Sequence, residues 1–109
     1  MIPVSTLTKA HKQDIKRRLE EAFGSRLAGV VLYGSMVRGD AEPDSDIDVL
    51  VLVKDGVRLG EDITRIIDAL YPLELTLGRP IHGLPAEEKD FSAPVAGCYA
   101  EAREEGIRL

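Results

Sequence analysis

Two aspartates one residue apart, Asp46 and Asp48, stand at the head of an apolar run. Ten residues separate them from a Gly34-Ser35 pair that closes the preceding apolar run. On an extended strand Asp46 and Asp48 point one way while Ile47 and Val49 point to the core. Like charges placed so close cost stability unless solvent or a cation takes up their charge. A hard cation such as Mg2+ binds carboxylate oxygens together with phosphate oxygens, so the pair is explained if a metal-bound nucleoside triphosphate fills the gap. Gly34 permits a sharp turn and the close approach of another group, and Ser35 can cap a short helix of Met36, Val37 and Arg38 before Gly39. Backbone N–H groups at such a start attract phosphate, and the Ser35 hydroxyl adds a donor. Taken singly, two aspartates around an isoleucine are solvated edge residues and a Gly-Ser is a turn. Their spacing between two apolar strands is what favours chemistry.

The elements that must position these residues alternate. From Ser5 to Phe23 the apolar positions Leu7, Ile15, Leu19 and Phe23 recur at helical spacing, with Thr6 or Thr8 able to cap the start and Gly24 suited to the stop. His11, Lys12, Lys16, Arg17 and Arg18 then form the solvated face of that helix. Ala28 to Tyr33 and Ile47 to Val53 are short, valine-rich runs that read as buried strands, the second closed by Lys54-Asp55-Gly56. Between them Glu42-Pro43 holds a loop extended and Asp44-Ser45 turns the chain. Glu61 to Tyr71 carries Ile63, Ile66, Ile67 and Leu70 in the pattern of a helix laid on a sheet. "LELTLG" reads as a continuation of it beyond Pro72, closed by Gly78, with an extended piece as the alternative. Arg79 to Pro85 is a third, weaker strand, "AEEKDF" a solvated helix start, and Pro94 to Glu105 a last helix stopped by Gly106. This order predicts a single α/β sheet with helices packed on it.

With 109 residues the chain is read as one domain, residues 1–109. A net charge of −5 argues against broad adhesion to nucleic acid or anionic membrane. No apolar stretch approaches the roughly 18 residues that a membrane span needs. A cytoplasmic protein is expected, with Cys98 a small packed residue rather than a staple or metal ligand.

Gly34-Ser35, ten residues, then Asp46-Ile47-Asp48 resembles the signature of the minimal nucleotidyltransferases of the DNA polymerase β superfamily. "GSMVRGDAEPDSDIDVLV" is similar to it almost throughout, including the Arg38-Gly39 and Ser45-Asp46 steps, and "EAREEGIRL" is similar to the tail of small members. The resemblance implies a small mixed β-sheet carrying helices, the palm-like fold of that superfamily. Gly34, Ser35 and Arg38 would contact the nucleotide's phosphates, although Arg38 can equally pair with Asp40 or Glu42. Asp46 and Asp48 would bind Mg2+. The implied activity is transfer of a nucleoside monophosphate from a triphosphate, ATP foremost, to a hydroxyl, with release of pyrophosphate. Small members pair with a helical HEPN-type partner as a toxin–antitoxin module. Acceptor, nucleotide and oligomeric state, a homo-oligomer included, stay open.

The same resemblance exposes a gap. Active transferases of the superfamily add a third carboxylate from the next strand, and in "RPIHGLP" the aligned position falls on His82 or Gly83. His82 can act there as ligand or base, with Glu74 as the competing candidate. If neither serves, the chain is a nucleotide-binding or interaction subunit with weak catalysis.

Overall fold

The computed structural model describes residues 7–38, 45–92 and 99–109, leaving the side chains of residues 38 and 101 outside that description. Helix α1 (Lys9–Phe23) starts at Thr8, whose hydroxyl accepts the His11 N–H at 3.1 Å while His11 Nδ1 accepts the Thr8 N–H at 3.2 Å. Histidine thus completes a capping box usually closed by Glu or Gln. His11 is therefore a structural cap and not merely part of a solvated face. The expectation for that face holds for Arg17 and Arg18, which pair with Asp14 one turn back; Arg17 also reaches Glu21.

A 3-10 turn (Gly24–Arg26) leads into β1 (Leu27–Tyr33), followed directly by the short helix α2 (Ser35–Arg38). Then come β2 (Ile47–Val53), α3 (Leu59–Leu77), β3 (Ile81–Glu87), α4 (Glu88–Ser92), α5 (Ala100–Glu105) and β4 (Ile107–Arg108). The strands form one mixed sheet in the order β3-β2-β1-β4. β1 runs antiparallel to β2 and to β4, and β2 runs parallel to β3.

Central β2 is buried at every position but Asp48 because helices cover both of its faces. On one face Ile15, Leu19 and Phe23 of α1 and Ile66, Leu70 and Leu73 of α3 pack on Val30, Leu32 and the odd-numbered residues of β2. On the other, Val31, Leu50, Leu52 and Ala86 form a smaller cluster with Ala102 of α5, flanked by Phe91 and Tyr99. Between Leu27 and Val53 at one end and Tyr33 and Asp48 at the other, the register leaves the aspartates beside the end of β1.

Helix α3 runs through Pro72 and stops at Gly78, whose φ of +67° and N–H bond to Glu74 O close it in the left-handed way. "LELTLG" is therefore helical. The third strand starts and ends two residues later than its sequence suggests, so Ala86 and Glu87 belong to β3 and the following helix begins at Glu88. As an edge strand β3 tolerates Pro85, which has no N–H to offer. The Ile81 N–H, turned away from β2, is met by Glu74 Oε1 at 2.8 Å. Of the predicted last helix, Ala100–Glu105 is helical, whereas Pro94, Val95 and Cys98 lie outside the described residues. Strand β4 has no counterpart in the sequence reading.

Candidate active site

Tyr33, the last residue of β1, stands opposite Asp48. Gly34 follows with φ +82°, and a Cβ built on it would overlap Asp48 Oδ2. Glycine is required there twice over, for the backbone angle and for the space that the carboxylate takes. Ser35 opens α2 at once, and Val37 N–H bonds to Gly34 O at 3.1 Å. The serine turn and Asp48 are thus neighbours, as the sequence spacing suggested. Asp46 lies just before β2 and is exposed, while Ile47 and Val49 are fully buried, so both aspartates project from the face opposite α1 and α3. Arg38 is the last residue of α2; its side chain, with Gly39, Asp40 and Glu42 to Asp44, lies outside the description.

His82 is Asp48's direct neighbour across the parallel pair, and its Nδ1 lies 3.8 Å from Asp48 Oδ1. The imidazole is 62% exposed and the Asp48 side chain 27%, so the two share a solvent-facing rim. Gly83 holds the strand in that position, because a Cβ on it would run into Ile66 Cγ2 of α3. Glu74, the competing candidate, approaches from α3 and is bonded to the Ile81 N–H. Among the described residues no group of three His, Cys, Asp or Glu side chains is placed to hold a metal ion. Two carboxylates at the start of β2 suit one hard cation shared with a phosphate, and are short of the three acids that two cations need.

One residue of this region escaped the sequence reading. Arg79 is buried between Gly78 and Pro80, and its Nη1 donates to Ser45 O at 3.0 Å and lies 3.2 Å from Met36 Sδ. No periodicity marks it. A charged residue between a helix-ending glycine and a strand-opening proline was the available hint. A largely buried ion pair lies at the opposite end of β2. There Arg26 donates to both oxygens of Asp62 at 2.9 and 3.1 Å, and Arg58 N–H adds a third bond at 2.8 Å. The Arg26 hydrogen bonds hold the Asp62 carboxyl below the usual carboxylate range.

The family model described as nucleotidyltransferase domain matches residues 12–101, from the first helix through the serine turn, both aspartates and β3. The chain belongs to that family. Protein adenylyltransferase MntA of Thermococcus cleftensis is 44% identical over 48 residues, covering 44% of this chain and 42% of that protein. Spectinomycin 9-adenylyltransferase of Staphylococcus aureus is 35% identical over 71 residues, covering 54% of this chain and 27% of that enzyme. Against each of these curated relatives the matched part spans well under two thirds of their length. Among solved structures, a crystal structure of a toxin-antitoxin with AMP-PNP superposes with a TM-score of 0.61 at 18% identity. The match covers 88% of this chain and 70% of that one, and the two share a fold. Among the described residues no helix is long and apolar enough to cross a membrane.

Proposed function

We propose that this chain transfers a nucleoside monophosphate, adenylate foremost, from its triphosphate to a hydroxyl on a partner protein. The observation that carries the reading is the closeness of Gly34 to the Asp48 carboxylate, which supports a phosphate site at the turn beside a cation site at the aspartates. The adenylyltransferase relatives support the donor. A protein acceptor is supported by the name of MntA, and a toxin–antitoxin partnership by the fold neighbour. A small helical protein of HEPN type is the partner proposed.

In this reading the Ser35 hydroxyl and the N–H groups at its turn bind phosphate oxygens. Asp46 and Asp48 would hold a divalent cation, Mg2+ by the preference of hard cations for oxygen, which when bound screens the triphosphate charge and favours attack at phosphorus. The acceptor oxygen bonds to the α-phosphorus as the bond to pyrophosphate breaks, its electron pair leaving with pyrophosphate. His82, beside Asp48 and open to solvent, takes the acceptor proton. With His82 where a third acid would stand and Glu74 engaged by the strand backbone, transfer by the isolated chain is slow relative to nucleotide binding. The same two observations favour a second reading, a nucleotide-binding subunit whose role is interaction.

The experiment is release of labelled pyrophosphate, and transfer of label from α-labelled ATP, in the presence of a candidate partner. Wild type should transfer and Asp48→Asn should not. Mg2+–ATP binding without any transfer to partner would select the second reading, and no binding would defeat both.

A further inference from the structure

The two arms of the candidate site come from separate pieces of chain: the Gly34-Ser35 turn with α2 behind it, and Ser45-Asp46 leading into β2. One guanidinium touches both. Arg79 Nη1 donates to Ser45 O at 3.0 Å and lies 3.2 Å from Met36 Sδ on α2. The backbone on either side of Arg79 is fixed. Gly78 N–H closes α3 on Glu74 O, and Pro80 O accepts the N–H of Ile47, the residue between the two aspartates, at 2.9 Å. The residue is only 8% exposed, so little of it is open to a bound nucleotide, and the contacts given for its guanidinium are with the two arms. A planar fork of five donors can bind two directions at once, which a lysine ammonium on a flexible stem does not reproduce.

We propose that Arg79 is a positioning residue that fixes the separation between the phosphate-binding turn and the metal-binding aspartates. The proposal rests on the nucleotide-binding reading above and adds to it the residue that sets the site's geometry. Fixed geometry matters because a cation shared between carboxylates and a phosphate requires both sets of oxygens at coordination distance together.

Calorimetry of Mg2+–ATP on wild type, Arg79→Ala and Asp48→Asn, each checked for folding by circular dichroism, tests it. Arg79→Ala should bind at least about tenfold more weakly. Low-millimolar guanidinium chloride should restore part of that affinity where potassium chloride at equal concentration does not, and should do nothing for Asp48→Asn. A merely structural loss would not be reversed by the missing group supplied in solution. Folded Arg79→Ala with wild-type affinity, or a loss that guanidinium does not reverse, overturns the positioning role and leaves the nucleotide reading standing. Should Arg79→Ala not fold, Arg79→Lys carries the test, with weaker binding at retained melting temperature expected and wild-type affinity overturning the proposal. Wild type that binds no Mg2+–ATP removes the reading and this proposal with it.

Discussion

Replacing Gly34 by alanine separates the fold from the site when it is compared with the same change at Gly78. Both glycines have positive φ, +82° and +67°, so both substitutions force an L-residue into a left-handed backbone. That strain costs roughly 1–2 kcal/mol. The surroundings differ. A Cβ at position 78 meets nothing within 4 Å, whereas at position 34 it overlaps the Asp48 carboxylate, which must rotate away. Driving that carboxylate off its rotamer adds about 0.5–1.5 kcal/mol. Gly34→Ala should therefore lose about 1 kcal/mol more than Gly78→Ala in urea unfolding. It alone should also weaken Mg2+–ATP binding, because the displaced oxygen is a proposed ligand. Unfolding curves and calorimetry on the two variants give the answer. Equal stability losses together with undiminished nucleotide affinity in Gly34→Ala would show that the turn and Asp48 are not coupled as described.

Stability should fall with acid at the far end of the sheet. The Asp62 carboxyl is held below its ordinary value by Arg26, so its contribution is present above the unfolded carboxylate pKa and is lost as pH drops through the folded one. Wild type should lose stability below about pH 4 more steeply than Asp62→Asn in pH-dependent urea melts, and Asp62→Asn at neutral pH should cost on the order of 3 kcal/mol by leaving the Arg26 charge uncompensated. His82→Asp should raise pyrophosphate release with a partner present and His82→Ala should lower it; at this exposed position His82→Ala should move unfolding stability by no more than about 0.5 kcal/mol, whereas the new carboxylate of His82→Asp, opposite Asp48, should cost up to about 1 kcal/mol without metal. Glu74→Gln should leave transfer unchanged and cost about 1 kcal/mol of stability through the weakened bond to Ile81 N–H; abolished turnover there would make Glu74 the catalytic acid.

Strands β1 and β2 and the cores of α1 and α3 were legible because their apolar spacing is dense and each must bury a face. The pairing of Asp48 with the serine turn followed from the lengths of those strands and the loop between them. Other features depend on partners that a local pattern does not carry. Pro72 is tolerated inside α3 because it is exposed there, so the carbonyl that it leaves without an N–H can turn to water. Strand β4 is a pair of residues, Ile107 and Arg108, both exposed, and it is a strand only because it returns to β1. His11 reads as one more basic residue until the turn at Thr8 brings its imidazole onto the backbone. Arg79 belongs to the same class: its importance lies in two contacts with chain more than 30 residues earlier, at separations of 43 and 34 positions.

The outer border of β3 has a consequence for how this protein can meet another. A foreign strand laid along that border would need a regular row of donors and acceptors to zip onto. Here the first donor, at Ile81, is already held by Glu74, and the position two steps on from Gly83 is Pro85, which has none. Such a visitor would find its ladder broken within a few rungs. Copies of this chain are thereby discouraged from stacking into an extended sheet as their concentration rises. Recognition along this side must be written in side chains rather than in backbone.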